Sequence, residues 1–370
     1  MNIVFDHQIF CLQKYGGISR YFFELANHIS RFHEDQVEIF APFHLNAYLS
    51  EGKLAFHKGR AIPSMNGVGR YTTWAADTAL AYLSLKTRLN VDILHETYFS
   101  AAGYCPSGAK RIVTVHDMVH EIFRDQFPSR DRLRKMKARA VKRADHVICV
   151  SENTRRDLIR ILAVPEEKIS VVHHGYSLWR ALSNEPPVLE KPFILFVGKR
   201  DGYKNFLKLL RAYAQSFRLK EELSLVCFGG GQFTIAEESA IKYYGLATDQ
   251  VFQITGEDDV LMKLYMNAAL FVYPSLYEGF GIPLLEAMSL GCPIACSNAS
   301  AFPEVTDQAA ELFDPTEEDD IQRALEKVVF SASYRDALIK LGLERSRKFS
   351  LDRCVRQTLQ VYLKCTSQKT

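Results

Sequence analysis

The sequence predicts an α/β protein of two domains, each built on a parallel sheet covered by helices. The first observation is the length of 370 residues, which exceeds the size at which one hydrophobic core keeps growing. The second is an alternation of short apolar runs with amphipathic helical stretches, as expected when parallel strands are buried on both faces. The third is a break in that alternation near the middle of the chain, which indicates two similar halves.

Six apolar runs in the first half are predicted strands: residues 2–5, 36–40, 92–95, 111–115, 146–150 and 169–172. Amphipathic stretches lie between most of them. After Gly17, for example, Ile18, Phe22 and Ile29 fall on one helical face.

The segment RALSNEPPVLEKP, residues 180–192, is the predicted interdomain linker, because its prolines are excluded from helix interiors and central strands. Five further strands are then predicted at residues 193–197, 223–228, 251–254, 270–273 and 293–296. After residue 320 the pattern is helical to the end. We therefore expect a first domain over residues 1–180 and a second over residues 190–349.

Composition excludes several classes of protein. With 46 basic and 43 acidic residues, the chain carries no charge excess that would favour general nucleic-acid binding. Its eight cysteines are scattered without a CxxC pair, which indicates reduced thiols in a cytoplasmic protein. No segment approaches the ~20 apolar residues of a membrane span, so we expect a soluble or at most peripheral protein.

The most specific motif is SLYEGFGIPLLEAMSLGCPI, residues 275–294. It follows an apolar run, and its Pro283 suits the first turn of a helix that Gly291 would end. Gly279 and Gly281 leave room for a ligand against the backbone just before that helix. A diphosphate there would meet unpaired N–H groups and the positive end of the helix dipole.

The two glutamates of this motif have different predicted surroundings. Glu286 would lie in the first turn of the helix and could accept hydrogen bonds from ribose hydroxyls, whereas Glu278 precedes the helix and could reach a sugar ring. Each alone could equally be an ordinary loop or helix-start carboxylate. The strand, glycine and helix signals in one register favour the ligand site.

A second motif, FILFVGKRDGYKNFLKLLRAY, opens the second half at residues 193–213. Lys199, Arg200 and Lys204 follow its strand, and such cations suit a diphosphate whose negative charge grows as it leaves. A solvated basic turn is the simpler alternative.

Two motifs in the first half lie where strands end or helices begin. YGGISRY, residues 15–21, places Gly16 and Gly17 ahead of a helix with Arg20 one turn in. RIVTVHDMVHEIF, residues 111–123, places His116 and Asp117 at the carboxyl end of a strand, where ligands bind in open parallel sheets. His120 lies four residues on, but neither an HExxH order nor a third ligand indicates zinc.

These motifs together resemble glycosyltransferase family four, whose EGFGxPxxEAM pattern the second-half motif matches almost letter for letter. The resemblance implies a GT-B architecture, in which two Rossmann-like domains face a central cleft and a final helix, here about residues 350–370, packs back on the first domain. It implies transfer of a sugar, with retention of configuration, from a nucleotide diphosphate to a glycan or polyprenyl-linked acceptor in bacterial polysaccharide biosynthesis. Mannose-type donors are common in that setting, so GDP-mannose is the expected donor.

The resemblance also implies roles for individual residues. Expected catalytic residues are His116, Arg200, Lys204 and Glu278; expected donor-binding residues are Gly17, Gly256, Gly279, Phe280, Gly281, Ile282 and Glu286; expected acceptor-side residues are Asp117 and Arg20. Glu278 would contact the donor sugar and Glu286 the ribose. Many members carry arginine directly after the glycine, where this chain has Lys199, and we chose Arg200 as the partner of Lys204.

No aspartate-any-aspartate sequence occurs in the chain, and nucleotide sites that use a divalent metal need carboxylates placed for it. Cations and a helix end could take its place, so we expect no cofactor and no metal. The segment 130–143, with eight basic residues and one acid, could touch anionic lipid or be a solvated basic face.

Two other functions remain open from the residues alone. A sugar-nucleotide epimerase could share the architecture, and a non-catalytic sugar-binding protein would not need the cations of the second motif. An epimerase would change the donor in the absence of an acceptor, whereas a transferase would give at most slow hydrolysis.

Overall fold

The computed structural model describes residues 1–50, 54–62, 67–85, 90–101, 103–128, 131–176, 189–200 and 202–367. The chain forms two compact units. Domain 1 comprises Met1–Gly175 with Leu351–Thr370, and domain 2 comprises Tyr176–Ser350. The division lies just before the predicted linker, of which residues 180–188 are outside the described part of the chain.

The strands of domain 1 are β1 (Asn2–Phe5), β2 (Gln36–Ile39), β3 (Phe43–His44), β4 (Arg60–Ala61), β5 (Ile93–Glu96), β6 (Lys110–Val115), β7 (His146–Cys149) and β8 (Ile169–Val171). Its helices up to the division are α1 (Gln8–Leu12), α2 (Gly17–Phe32), α3 (Gly67–Leu85), α4 (Val119–Ile122), α5 (Leu133–Arg143) and α6 (Glu152–Leu162). The main sheet is parallel in the order β2-β1-β5-β6-β7-β8, and β3 pairs with β4 separately.

The strands of domain 2 are β9 (Phe193–Val197), β10 (Ser224–Phe228), β11 (Val251–Ile254), β12 (Leu270–Tyr273), β13 (Ile294–Ser297) and β14 (Glu311–Phe313). Its helices are α7 (Phe206–Gln215), α8 (Phe217–Glu222), α9 (Ile235–Tyr243), α10 (Asp258–Asn267), α11 (Ile282–Ser289), α12 (Phe302–Thr306), α13 (Glu318–Val329) and α14 (Ala332–Ser346). The sheet is parallel in the order β11-β10-β9-β12-β13-β14, the doubly wound order of dinucleotide-binding folds.

The predicted fold class is confirmed, and each of the eleven predicted strands is present with ends within one residue of those expected. The sequence pattern missed β3 and β4, which have two residues each. It also missed β14, which is three residues long and begins with a charged residue. Glu311 is tolerated in that strand because Arg323, Lys327 and Tyr334 all donate hydrogen bonds to its carboxylate.

The last helix, α15 (Leu351–Ser367), belongs to domain 1 and packs against α2. Its apolar side chains, among them Val355, Leu359 and Tyr362, join the core formed by α2 and the strands of the main sheet. The Tyr362 hydroxyl lies 2.5 Å from Nδ1 of His95 in β5. A segment from the end of the chain therefore completes the first domain.

None of the helices in the described residues is both long and apolar enough to span a membrane. All eight cysteines are free thiols, and seven of them are buried. Burial raises the pKa of these buried thiols, for example that of Cys354 to about 11. They are packing residues of the two cores.

Candidate active site

The centre of the domain 2 sheet brings its two predicted motifs together. β9 and β12 are neighbours in the sheet. The chain leaves β9 towards β10 on one side and leaves β12 towards β13 on the other. Loops that diverge in this way open a crevice at the carboxyl ends of the strands, where ligands bind in doubly wound sheets.

Lys204 and Glu278 form an ion pair at this position. Lys204 Nζ lies 2.5 Å from Glu278 Oε1, and each side chain is 15% exposed. The ammonium group also approaches the Tyr273 hydroxyl at 3.4 Å. Burial and the neighbouring Glu278 carboxylate raise the pKa of Tyr273 well above its usual value, so the phenol stays protonated. The site thus pairs one cation with one anion, both accessible to a ligand.

Backbone contacts fix the two loops that carry this pair. Leu276 N–H donates to the Tyr203 carbonyl at 2.7 Å, which links the loop after β12 to the loop after β9. Asn205, in the left-handed region with φ 61°, donates from Nδ2 to the carbonyls of Pro274 and Pro315. Asparagine tolerates this backbone conformation better than most residues. The sequence analysis did not single out Asn205.

The helix start predicted near Pro283 is observed one residue earlier. α11 begins at Ile282, with Pro283 in its first turn and Gly281 as its N-cap. Gly281 has φ 105°, and a Cβ there would lie 2.9 Å from Leu284 Cδ1, so a side chain is excluded. No side chain of the described residues caps this helix end. The positive end of the helix dipole is therefore directed at the loop that carries Glu278.

Glu286 lies in the second turn of α11 rather than in the first turn as predicted. It is buried, and the Tyr265 hydroxyl donates to its Oε2 at 3.4 Å. Burial and the adjacent Glu286 carboxylate raise the pKa of Tyr265 well above its usual value. Glu286 is thus an acceptor held inside the domain, close behind the helix start.

Arg200, predicted to face the diphosphate, has its guanidinium inside domain 2. Its side chain is 2% exposed and forms an ion pair with Glu237 at 2.9 Å. Its two terminal nitrogens donate to the carbonyls of Gly229, Gly231 and Gln232. These contacts use most of its donors, so Arg200 does not accompany Lys204 and instead holds the glycine run 229–231 in place.

Lys199 is the exposed cation of the same turn. It follows Gly198, whose φ of 115° turns the chain after β9. A Cβ at Gly230 would lie 2.7 Å from the Gly198 carbonyl oxygen, so the glycine run and this turn pack backbone to backbone. Gly256, two residues beyond β11, is exposed and packs against Val260. Arg200 is thus the buried cation of this turn, and Lys199 is the exposed one.

Phe280 and Gly279 are buried in the loop before α11. The Phe280 ring meets that of Phe349 at a centroid distance of 5.8 Å. Ser300, in the left-handed region, accepts a hydrogen bond from the Glu278 N–H at 3.0 Å. The glutamate is therefore fixed through its backbone as well as its side chain.

His116 in domain 1 belongs to a cluster of histidines that the sequence analysis did not predict. It follows β6, and its ring stacks on that of His174 with centroids 5.4 Å apart and planes within 7°. His95 lies close by and contacts Thr114 and Tyr362. Burial, with the nearby His95 and Lys137, lowers the pKa of His116 to about 3. Burial likewise lowers the pKa of His95 to about 3, so these rings are neutral at physiological pH.

A buried lysine holds the loop that carries His116 and Asp117. Lys137 of α5 is 1% exposed and donates to the Asp117 carbonyl at 2.8 Å and to Glu121 at 2.7 Å. Asp117 Oδ1 accepts a hydrogen bond from the Val119 N–H and so begins α4. His120 pairs with Asp131 at 2.7 Å and not with His116. Lys137 could have been recognised from the sequence as a buried lysine, because it lies among the alanines and valine of a basic helix.

The first glycine motif forms the start of α2, which begins at Gly17. Gln13 Oε1 accepts a hydrogen bond from the Ser19 N–H, and a Cβ at Gly16 would lie 2.2 Å from that oxygen. Glycine at position 16 therefore allows the glutamine to cap the helix. Gly17 is exposed and Arg20 is half-buried in the first turn.

Residues 15–180 match the family model described as Glycosyltransferase Family 4, and residues 180–345 match the model described as Glycosyl transferases group 1. The chain is 28% identical, over 94% of its length and 95% of the relative's, to the O-antigen chain mannosyltransferase B of Escherichia coli.

A second relative is an N-acetylgalactosaminyltransferase of Campylobacter jejuni, whose name specifies a diphospho-undecaprenol acceptor. It is 26% identical over 60% of this chain and 60% of its own. Among solved structures, sucrose-phosphate synthase of Thermosynechococcus elongatus matches with a TM-score of 0.75, 19% identity and 99% coverage of both chains.

The two doubly wound domains and the matching solved structure show the GT-B fold, and the family models and named relatives show a glycosyltransferase. The two family models cover residues 15–345 between them, and the chain belongs to glycosyltransferase family 4. The epimerase and sugar-binding alternatives have no support among these relatives, which are named as transferases.

Replacing Arg200 tests whether its buried ion pair stabilises domain 2. Arg200→Met leaves Glu237 charged and unpaired inside domain 2, so we expect the free energy of unfolding to fall by roughly 3–5 kcal/mol in urea denaturation. Lys199→Met, a neighbouring loss of one exposed positive charge, should leave stability within about 0.5 kcal/mol. An Arg200→Met protein of normal stability that has lost only nucleotide affinity would restore the original assignment.

The neutral state of His116 predicts a specific pH response. Its imidazole NMR signals should not shift between pH 8 and about pH 5, since an ordinary histidine titrates near 6.5 and this one near 3. The unfolded chain then binds more protons than the folded chain below about pH 6.5, so the stability of domain 1 should decrease as the pH falls. His116→Gln assigns the signal. A midpoint between pH 6 and 7 would contradict the burial argument.

Proposed function

We propose that this chain transfers mannose from GDP-mannose to a hydroxyl of a glycan or lipid-linked glycan during polysaccharide biosynthesis, with retention of configuration and without a metal. The observation that carries the proposal is the Lys204–Glu278 ion pair at the switch point of domain 2, beside the start of α11. The names of the two relatives support the mannosyl donor and the glycan or lipid-linked acceptor.

The donor diphosphate would lie against Lys204, the exposed Lys199 and the N-terminus of α11, around Gly279, Gly281 and Ile282. A diphosphate carries at least two negative charges, and Lys204 alone is already matched by Glu278. The second lysine and the helix dipole supply the further positive potential. Glu278, displaced from part of its contact with Lys204, would accept hydrogen bonds from hydroxyls of the sugar.

The nucleoside would extend from the diphosphate towards Glu286 and Gly256. Glu286 would accept hydrogen bonds from the ribose hydroxyls, with its other contacts holding the carboxylate in place. Gly256 lies beyond the end of β11, on the β9–β10–β11 side of the switch point, where a base could lie against the backbone.

In the proposed reaction the bond between the anomeric carbon and the diphosphate oxygen breaks, and its electron pair moves to the phosphate. The acceptor oxygen forms the new bond on the same face of the sugar, and its proton passes to the leaving phosphate. Lys204 strengthens its interaction as charge develops on that oxygen, which lowers the barrier more than it tightens ground-state binding. No divalent metal is needed for this charge compensation.

Domain 1 would supply the acceptor side. We assign Asp117 and Arg20 to the acceptor, Gly17 to close approach of the donor phosphate, and His116 to the transferred sugar. Because His116 is neutral, its role would be hydrogen bonding rather than proton donation at physiological pH. Lys137 would hold that loop in position through its contacts with Asp117 and Glu121.

Substitutions at Lys204 and Glu286 should separate catalysis from binding. We expect Lys204→Ala to lower kcat by roughly 100-fold while GDP affinity changes less, because the lysine meets charge that appears only in the transition state. Glu286→Gln should instead weaken calorimetric GDP affinity about tenfold through the ribose contact. Tyr265→Phe, which changes only a neighbour of Glu286, is the matched control. Equal loss of GDP affinity in both site variants would contradict this division of roles.

Stereochemistry and metal dependence test the reaction itself. In a panel of nucleotide sugars, GDP-mannose should give transfer to a mannose-containing acceptor, and proton NMR of the first product should show the anomeric configuration of the donor. The rate should be unchanged in excess EDTA. An inverted product would overturn the mechanism. Loss of activity in EDTA with rescue by Mg²⁺ or Mn²⁺ would overturn the charge argument.

We also propose peripheral contact of α5 with anionic membrane. Of the basic segment 130–143, Arg130 lies outside the described residues, and Lys137 and Arg143 are committed to Glu121 and Glu96. Arg132, Lys135, Arg139 and Lys142 are exposed. Each such charge near an anionic surface contributes ~1 kcal/mol.

Replacing one of these lysines tests the contact. Lys135→Glu should reduce co-sedimentation with phosphatidylserine vesicles severalfold, whereas Lys340→Glu should not reduce it. Co-sedimentation that depends on neither lipid charge nor salt would refute the contact.

A further inference from the structure

Two histidines and an aspartate meet on domain 1 at a place with no part in the proposed transfer. His28 lies in the last turns of α2, His33 directly follows that helix, and Asp352 lies in the first turn of α15. One ligand atom from each lies within 4.8 Å of the other two. Within the described part of the chain, this is the one group of three such side chains.

The contacts of His28 are those of an unsatisfied ligand. Its Nε2 atom is buried and makes no hydrogen bond with the described residues. It lies 3.6 Å from Asp352 Oδ1, which is too long for a hydrogen bond. Two ligand atoms of a tetrahedral zinc ion, each about 2.0–2.1 Å from the metal, are ~3.3 Å apart. The observed separation is close to that edge length.

Asp352 is already oriented for such a role. Its Oδ2 forms an ion pair with Arg356 one turn later at 2.6 Å, and its Oδ1 is the oxygen nearer His28. Ligating carboxylates are commonly held in this way by a second partner. The His28 and His33 rings are 5.9 Å apart with planes 44° from each other. His33 offers a ring nitrogen within 4.8 Å of the other two ligand atoms.

The chemistry of the three groups selects the kind of ion. Two imidazoles and one carboxylate suit Zn²⁺ and neighbouring divalent transition metals, whereas Mg²⁺ and Ca²⁺ prefer sites made of oxygen ligands. Three protein ligands leave a fourth position for water. All three side chains are half-buried, so an ion can enter from solvent.

We propose that His28, His33 and Asp352 form a structural site for a divalent transition metal such as Zn²⁺, which fastens the first turn of α15 to the end of α2. Leu351 is where the chain enters domain 1 for the second time. The rest of α15, including Tyr362 beside His95, comes after Leu351 in the chain. A metal bound there would stabilise the docked helix by mass action.

The test uses the full-length chain without an affinity tag, treated with EDTA and freed of it. We expect one equivalent of Co²⁺ to give the intense visible absorption of four-coordinate cobalt, and Zn²⁺ to displace it. Zn²⁺ at about 100 times its Kd should raise the Tm by roughly 5–10 °C. Binding weaker than about 1 mM in calorimetry, or no change in Tm at saturation, would overturn the proposal.

Variants locate the site. His28→Gln, His33→Gln and Asp352→Asn should each lower Zn²⁺ affinity at least tenfold while the circular dichroism of the apo chain stays unchanged. His120→Gln is the matched control, since His120 is paired with Asp131 and lies outside the cluster. Unchanged affinity in the three cluster variants would place the ion elsewhere and overturn the assignment. Transfer activity measured at low temperature in EDTA reports on the proposed function separately, because none of the three ligands belongs to its site.

Discussion

Every residue of β9 and of β12 is buried, so a charged side chain can be placed in the middle of domain 2 only where these strands end. The strand order puts both ends side by side and sends the two loops in opposite directions. Lys204 and Glu278 meet at these strand ends. The backbone contacts of Asn205 and Leu276 hold the two loops that carry Lys204 and Glu278. The start of α11 adds the positive end of a helix dipole there, without adding a full charge that needs a partner.

The two domains use the carboxyl edge of a parallel sheet for different chemistry. Domain 2 has charges there, partly exposed and paired. Domain 1 has the stacked rings of His116 and His174, kept neutral by burial. The internal Lys137 lies close to His116, and its charge is matched by Glu121.

The sequence predicted the strands well because short, mostly apolar runs of four to six residues have few alternatives in a buried parallel sheet. It missed β14, whose Glu311 is tolerated only through three partners on α13 and α14. The sequence also did not show that Arg200, and not Lys199, lies inside domain 2, for a related reason. Adjacent cations in a loop look alike in sequence, and only the turn at Gly198 decides which of them points inward.

Contacts between distant parts of the chain were also beyond prediction. The His116 cluster draws on β5, the loop after β8 and the last helix, and no spacing rule connects them. The cluster of His28, His33 and Asp352 joins the two ends of the chain. By contrast, the motif at residues 275–294 was informative because its strand, glycines, proline and glutamates are contiguous. Local sequence predicted this helix start to within one residue, whereas a cluster assembled from three segments exists only in the folded chain.

The position of α15 has a consequence for synthesis on the ribosome. Domain 2 is complete once residue 350 has been made, but domain 1, although begun first, lacks α15 until residues 351–367 have been made. Until then the core positions of Val355, Leu359 and Tyr362 are unfilled, and the apolar surface of α2 that they cover is open to water and to other nascent chains. Domains usually fold in the order in which they emerge. Here the order is reversed, and the first domain to be translated is the last to be finished.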